Sequence, residues 1–201
     1  MRLAIVEDLV SSDRTSLELQ ERVGLASNAL AYHLDVLEDA GLVTRCVSTG
    51  DRRRRYVCLR RSELPDLPAA RPVVAESALF ICTQNSARSP LAAALWRQLT
   101  SRLATSAGTH PADRIHRGAV AAGRRAGVDL TVARPRHFED VGAVPKLVVT
   151  VCDRAHEELD PPADWLHWSL PDPVEEGTTA AFDATVRELR HRITTLAGTA
   201  A

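Results

Sequence analysis

Ala78-Leu79-Phe80-Ile81-Cys82-Thr83-Gln84-Asn85-Ser86-Ala87-Arg88-Ser89-Pro90 is the stretch from which the rest of the chain can be read. Its four leading apolar residues have the continuous hydrophobicity of a strand buried on both faces, as in a parallel sheet. A cysteine then enters a short polar loop. Ser89-Pro90 opens a helix expected over 91–103, with proline tolerated in its first turn. A strand, a tight loop and a helix start in that order make an anion site. Loop amides from Thr83 to Ser89 can turn inward, and the helix N-terminus adds positive potential. Both stabilise negative charge on the Cys82 sulfur. Arg88 offers a planar fork for two oxygens of a tetrahedral anion. Ser89 can donate to the sulfur, and Asn85 suits the left-handed backbone such loops require. Thr83, Gln84, Asn85, Ser86, Ala87, Arg88 and Ser89 are therefore the candidate oxyanion-binding set, with Cys82 as nucleophile.

After this loop, strands alternate with helices. Residues 104–106 and 146–151 read as strands, 116–126 as a helix closed by Gly127, and 179–196 as a long terminal helix. That alternation predicts an α/β domain with a parallel sheet. Before it the pattern changes. Helices are expected over 3–10 and 16–23, the second closed by Gly24. Ser27 is expected to cap a third that runs to about residue 40 on the apolar stripe Leu30, Leu34 and Leu37. Strands at 43–47 and 56–59 follow, joined across Ser48-Thr49-Gly50-Asp51 and a run of arginines. Helix, helix, helix and basic hairpin is the order of a winged helix-turn-helix. Between the two patterns, Pro65, Pro68 and Pro72 mark 62–76 as an extended linker. The expected organisation is a winged domain over 1–61, the linker over 62–76 and a three-layer α/β domain over 77–201.

Composition sets limits. Lys and Arg number 25 against 26 Asp and Glu, a net charge of −1, so DNA binding has to come from local clustering of basic residues. No apolar run approaches the roughly 20 residues needed to cross a bilayer. Acids at Glu7 and Asp8 interrupt what would be a signal peptide, so a cytoplasmic protein without membrane association is expected. Cys46, Cys58, Cys82 and Cys152 are too scattered for a disulfide scaffold.

Residues 79–90 resemble the signature loop of the low-molecular-weight protein tyrosine phosphatases and of the related thiol-dependent arsenate reductases. The likeness continues through Ser106-Ala-Gly-Thr109, Gly127-Val-Asp129, Val148-Val-Thr-Val-Cys-Asp153 and Pro171-Asp-Pro173, and covers about 77 to 198. It implies Cys82 as nucleophile, Arg88 as oxyanion clamp and Asp172 as general acid for the leaving oxygen. In the phosphatases an aromatic residue typically follows the Asp-Pro of the acid loop; Val174 stands here, which disfavours a phosphotyrosine pocket. Cys152 falls where the thioredoxin-coupled reductases carry a second redox cysteine, implying attack on a Cys82 adduct and a Cys82–Cys152 disulfide. The further cysteine usual in those reductases is missing from 153–168, and Gln84 replaces a common loop glycine. The expected activity is thus arsenate reduction, with phosphate ester hydrolysis and oxyanion or redox sensing as alternatives. No bound cofactor or metal is expected. The implied reductant is thioredoxin, or a glutaredoxin-like protein with a small thiol.

Leu30-Ala-Tyr-His-Leu-Asp-Val-Leu-Glu-Asp-Ala-Gly-Leu-Val43 resembles the recognition helix and turn of ArsR-type repressors, over about residues 1 to 61. That resemblance implies double-stranded DNA as partner, with Ser27, Asn28, Tyr32 and His33 towards the major groove. Arg45 and Arg52, Arg53, Arg54 and Arg55 are then expected against phosphates or in the minor groove. It also raises the possibility of a homodimer, although the linker takes the place of the usual last helix. No cysteine lies between Met1 and Leu42, and Cys46 and Cys58, on facing wing strands, are a poor match to a metalloid-sensing site.

Overall fold

The computed structural model describes residues 1–61 and 73–198. Most of the expected linker, 62–72, lies outside the described residues. The N-terminal unit contains α1 (Arg2–Ser11), β1 (Arg14–Thr15), α2 (Ser16–Val23), α3 (Ser27–Asp39), β2 (Val43–Val47) and β3 (Arg55–Leu59). Its three strands form an antiparallel sheet in the order β1-β3-β2. The α3 stripe of Leu30, Leu34 and Leu37 is buried with Ile5, Leu9, Leu19, Val43, Val57 and Leu59. Apolar residues at helical spacing on α3 and alternating ones on the wing thus share one core. Thr15 caps α2 in a reciprocal capping box with Glu18, and Gly24 closes that helix in the left-handed conformation. Ser27 does not cap α3. The cap position is Ala26, Ser27 is the first helical residue, and Asn28 Oδ1 accepts the neighbouring Ala29 N–H instead.

The second unit contains β4 (Ser77–Cys82), α4 (Arg88–Thr100), β5 (Leu103–Gly108), α5 (Arg117–Arg125), β6 (Leu147–Thr150), α6 (Asp153–Leu159), β7 (Leu166–His167), α7 (Pro173–Glu176) and α8 (Thr179–Ala197). All four strands are parallel, in the order β5-β4-β6-β7. The chain leaves β4 in one direction for β5 and later reaches β6 on the other side. The carboxyl end of β4 is therefore a topological switch point, where ligand crevices form in open α/β sheets. Cys82 stands at that end. Helix α4 starts at Arg88, three residues before the expected start, because a proline at the third helical position displaces no intrahelical N–H bond. The strand expected over 146–151 is β6, which ends at Thr150, and Cys152 is the cap position of α6, a helix that was not expected.

The winged unit lies against the α/β unit. The register Cys46↔Tyr56 and Thr44↔Cys58 turns these four side chains away from the winged core. On that face Tyr56 is fully buried, donates to Glu157 at 3.1 Å and packs against His167 with the rings tilted by 51° and their centroids 4.5 Å apart. The wing turn lies on α6: Ser48 Oγ donates to Glu157 and the Thr49 N–H to Asp153. A Cβ on Gly50 would stand 2.9 Å from the Arg154 Cα.

Beneath this contact, His156 is stacked on His167 at 4.2 Å and its Nδ1 lies 2.9 Å from Thr150 Oγ1. Burial pushes the His156 pKa down to about 3. A free histidine titrates near 6.5, so the unfolded chain takes up a proton between those values that the folded chain refuses. The associated stability is complete above pH 6.5 and falls with pH through the window, by up to ~1.4 kcal/mol per unit. Urea unfolding at pH 7 and pH 5 checks this: His156→Gln is expected to lose about 2 kcal/mol less than the unmodified protein between the two. Equal losses would contradict a neutral buried His156.

Candidate active site

Cys82 is buried at the base of a loop whose carbonyls are tied outwards. His110 N–H donates to the Thr83 carbonyl at 2.8 Å, Ala112 N–H to Gln84 at 2.9 Å and His116 N–H to Ser86 at 2.9 Å. In a trans peptide the following N–H points the opposite way. The amides of Gln84, Asn85 and Ala87 are therefore directed to the loop interior. The cap position of α4, Ala87, has no side-chain cap, so the first-turn amides of that helix add to the same concavity. Asn85 has φ 47°, its Nδ2 donates to Ser89 Oγ at 2.9 Å, and its Oδ1 accepts the Arg136 N–H at 3.0 Å. Ser89 Oγ lies 3.0 Å from Cys82 Sγ. Gly108 flanks the loop so closely that a Cβ there would meet the Thr83 carbonyl oxygen at 2.5 Å.

Arg88 is buried, and its two terminal nitrogens are used separately. Nη1 donates to the Leu170 carbonyl at 2.9 Å, and Nη2 pairs with Asp172 Oδ2 at 2.5 Å. Asp172, from a loop 84 residues further along, is thus placed beside the anion loop. Its other oxygen accepts the Val174 N–H at 2.9 Å and caps the short α7. Cys152 Sγ lies 3.3 Å from Oγ1 of Thr83, the residue that follows Cys82. Burial raises the Cys152 thiol above its ordinary range, opposed by Arg88. Cys82, Arg88, Asp172 and Cys152 therefore converge, as do the loop residues Thr83 to Ser89. No group of three or more metal-ligating side chains occurs among the described residues.

Residues 77–201 match the family profile of the low molecular weight phosphotyrosine protein phosphatases. The chain belongs to that family. Residues 1–46 match the profile of a helix-turn-helix domain, in keeping with the ArsR-type resemblance, so the chain is a helix-turn-helix unit fused to a low-molecular-weight phosphatase domain. Among solved structures, an arsenate reductase in the phosphate-binding state is 21% identical, with a TM-score of 0.52, covering 61% of this chain and 97% of that one. The tyrosine phosphatase Wzb from Escherichia coli in complex with sulphate is 23% identical, with a TM-score of 0.53, covering 62% and 98%. The YwlE arginine phosphatase from Geobacillus stearothermophilus is 23% identical, with a TM-score of 0.52, covering 61% and 91%. These likenesses establish the phosphatase fold. No curated protein matches the chain.

On the helix-turn-helix unit, Ser27, Asn28 and Tyr32 are exposed on α3, whereas His33 is half-buried, with a buried Nδ1 that has no partner among the described residues. Arg52, Arg53, Arg54 and Arg55 are exposed at the wing tip, Arg53 pairing with Asp51 at 3.0 Å. Arg45 is turned back onto α3, where Asp35 at 2.7 Å and Glu38 at 2.9 Å hold its guanidinium; this corrects the expectation that it extends towards phosphates. Cys46 and Cys58 do face one another. Hydrogen bonding from Cys58 lowers the Cys46 thiol to about 7. No helix of the described residues is long and apolar enough to cross a membrane.

Missing from the sequence reading are Leu170, whose carbonyl orients Arg88, and Gly108, which makes room for the loop. The Ser-Ala-Gly-Thr motif contained the signal for Gly108; a carbonyl contact leaves none in sequence.

Proposed function

We propose that the family domain is an arsenate reductase that works through Cys82, with Cys152 as resolving thiol. The supporting observation is the meeting of two buried cysteines at one arginine-clamped anion loop. Inward amides and Arg88 receive a tetrahedral oxyanion. Its negative charge competes with Asp172 for the guanidinium, freeing the carboxyl group to carry a proton. The Cys82 sulfur attacks arsenic, an As–S bond forms, and the departing oxygen takes the proton from Asp172 and leaves as water. Cys152 loses its proton and attacks the Cys82 sulfur. The S–S bond forms as the As–S bond breaks, and the bonding pair stays on arsenic, which leaves as arsenite. An external dithiol, thioredoxin or a glutaredoxin-like protein with a small thiol, returns two electrons to the disulfide. Burial keeps Cys152 protonated until Cys82 is loaded, which orders the two steps.

Phosphate ester hydrolysis is the second reading, supported by the acid-loop Asp172 paired to Arg88. The helix-turn-helix unit would bring either activity to double-stranded DNA through α3 and the arginine-rich wing. Cys152→Ser separates the two readings. Arsenate-dependent oxidation of thioredoxin is expected to fall by about 10²-fold or more while aryl phosphate hydrolysis is retained. Unchanged arsenate turnover would remove Cys152 from the reaction.

A further inference from the structure

The loop that carries Asp172 is held from outside the catalytic domain. Between α1 and α2, residues 11–13 run alongside residues 167–169. Asp13 N–H donates to the His167 carbonyl at 2.8 Å, and His167 N–H donates to Ser12 Oγ at 2.9 Å. Ser169 N–H donates to Asp13 Oδ2 at 2.8 Å, and Trp168 Nε1 donates to the Ser11 carbonyl at 2.9 Å. Three consecutive residues of the catalytic domain are thus hydrogen-bonded to three consecutive residues of the helix-turn-helix unit.

At the centre of the clamp is a buried ion pair. Asp13 is 1% exposed, and Arg192 of α8, 4% exposed, donates to the same Oδ2 at 2.8 Å. The Arg192 guanidinium also lies 5.8 Å from the centre of the Trp168 ring and donates to Glu188 at 2.6 Å. Buried partners of this kind hold their geometry because separating them strands a charge away from water. Little slack separates the clamp from the acid. After Ser169 comes Leu170, whose carbonyl receives Arg88, and then Asp172 between Pro171 and Pro173, whose rings fix their backbone φ. Only Leu170 and Pro171 separate Ser169 from Asp172.

We propose that Asp13, assisted by Ser12, is a positioning residue for the acid loop: the helix-turn-helix unit holds 167–169 so that Asp172 stands beside the oxyanion loop. This rests on the reading of Asp172 as proton donor. Coupling of this kind is reciprocal, so a DNA that shifts the helix-turn-helix unit on the catalytic domain changes proton transfer, and occupation of the loop changes affinity for that DNA.

The test uses the full chain with Asp13→Asn, which keeps an acceptor oxygen and the side-chain size, and Ser12→Ala, which removes one hydroxyl and leaves every charge in place. Two quantities are measured: backbone amide exchange at Ser169, Leu170 and Val174, and kcat for phenyl phosphate against 2,4-dinitrophenyl phosphate, whose leaving group needs no proton. Exchange at those amides is expected to rise about tenfold, with the amides of 83–89 unchanged. The kcat for phenyl phosphate is expected to fall about tenfold, with the dinitrophenyl ester within about twofold of the unmodified chain and the basic limb of the pH–rate profile flattened. Equal losses on both esters, or unchanged exchange, would overturn the proposal. If the unmodified chain turns over neither ester nor arsenate, the proton-donor reading fails by itself. Exchange then decides whether Asp13 holds the loop, faster exchange supporting it and unchanged exchange refuting it.

Discussion

Cys82→Ser is expected to lower arsenate-dependent turnover by about 10⁴-fold or more, because the attacking atom itself is lost. The substitution is nearly isosteric, and the residue sits 3.0 Å from Ser89 Oγ in a polar loop that accepts a hydroxyl. Thermal unfolding should therefore stay close to that of the unmodified protein, as should any binding of DNA by the helix-turn-helix unit. The same variant should also lose aryl phosphate hydrolysis, since both reactions begin with attack by this sulfur. Substantial turnover by purified Cys82→Ser protein, with either arsenate or an aryl phosphate, would remove Cys82 from the chemistry.

Arg88→Lys keeps the positive charge and removes the fork. In the structure the two guanidinium ends reach Leu170 and Asp172 separately, and an ammonium group cannot span both. The expected loss is about 10²- to 10³-fold in kcat, the range for losing one preorganised oxyanion donor, or roughly 2.7–4 kcal/mol of transition-state stabilisation. Inorganic phosphate, acting as a competitive inhibitor, should weaken in parallel, because the fork serves the ground-state anion as well. A lysine variant with unchanged kcat and unchanged phosphate inhibition would show that the loop amides alone hold the anion.

The sequence carried the site where its physics is local. The strand, Cys82, the left-handed Asn85, Arg88 and Ser89 lie within a dozen residues, and each signals its own conformation or chemistry. Leu30, Leu34 and Leu37 revealed the face of α3 in the same way. Boundaries set by tertiary context were less legible. Helix α4 begins at Arg88, since Pro90 at its third position has no intrahelical N–H bond to lose, and Ser27 lost the cap position to Ala26. Arg45 sits among basic residues on a wing, yet Asp35 and Glu38 of α3 take it. Least legible was the docking of the two units. The Asp13–Arg192 pair spans 179 residues, and neither residue belongs to a motif. Wing residues Tyr56 and Cys58 alternate like those of an ordinary half-exposed sheet, and only the fold shows their outer face covered by α6 and residue 167.

The most direct measurement of the central claim is a single turnover without reductant. Fully reduced protein is mixed with one equivalent of arsenate, remaining thiols are alkylated, and the digest is mapped by mass spectrometry. The account predicts one equivalent of arsenite, Cys46 and Cys58 alkylated, and the peptides of Cys82 and Cys152 joined by a disulfide. Four alkylated thiols with arsenate unchanged, or a disulfide that excludes Cys82, would contradict it.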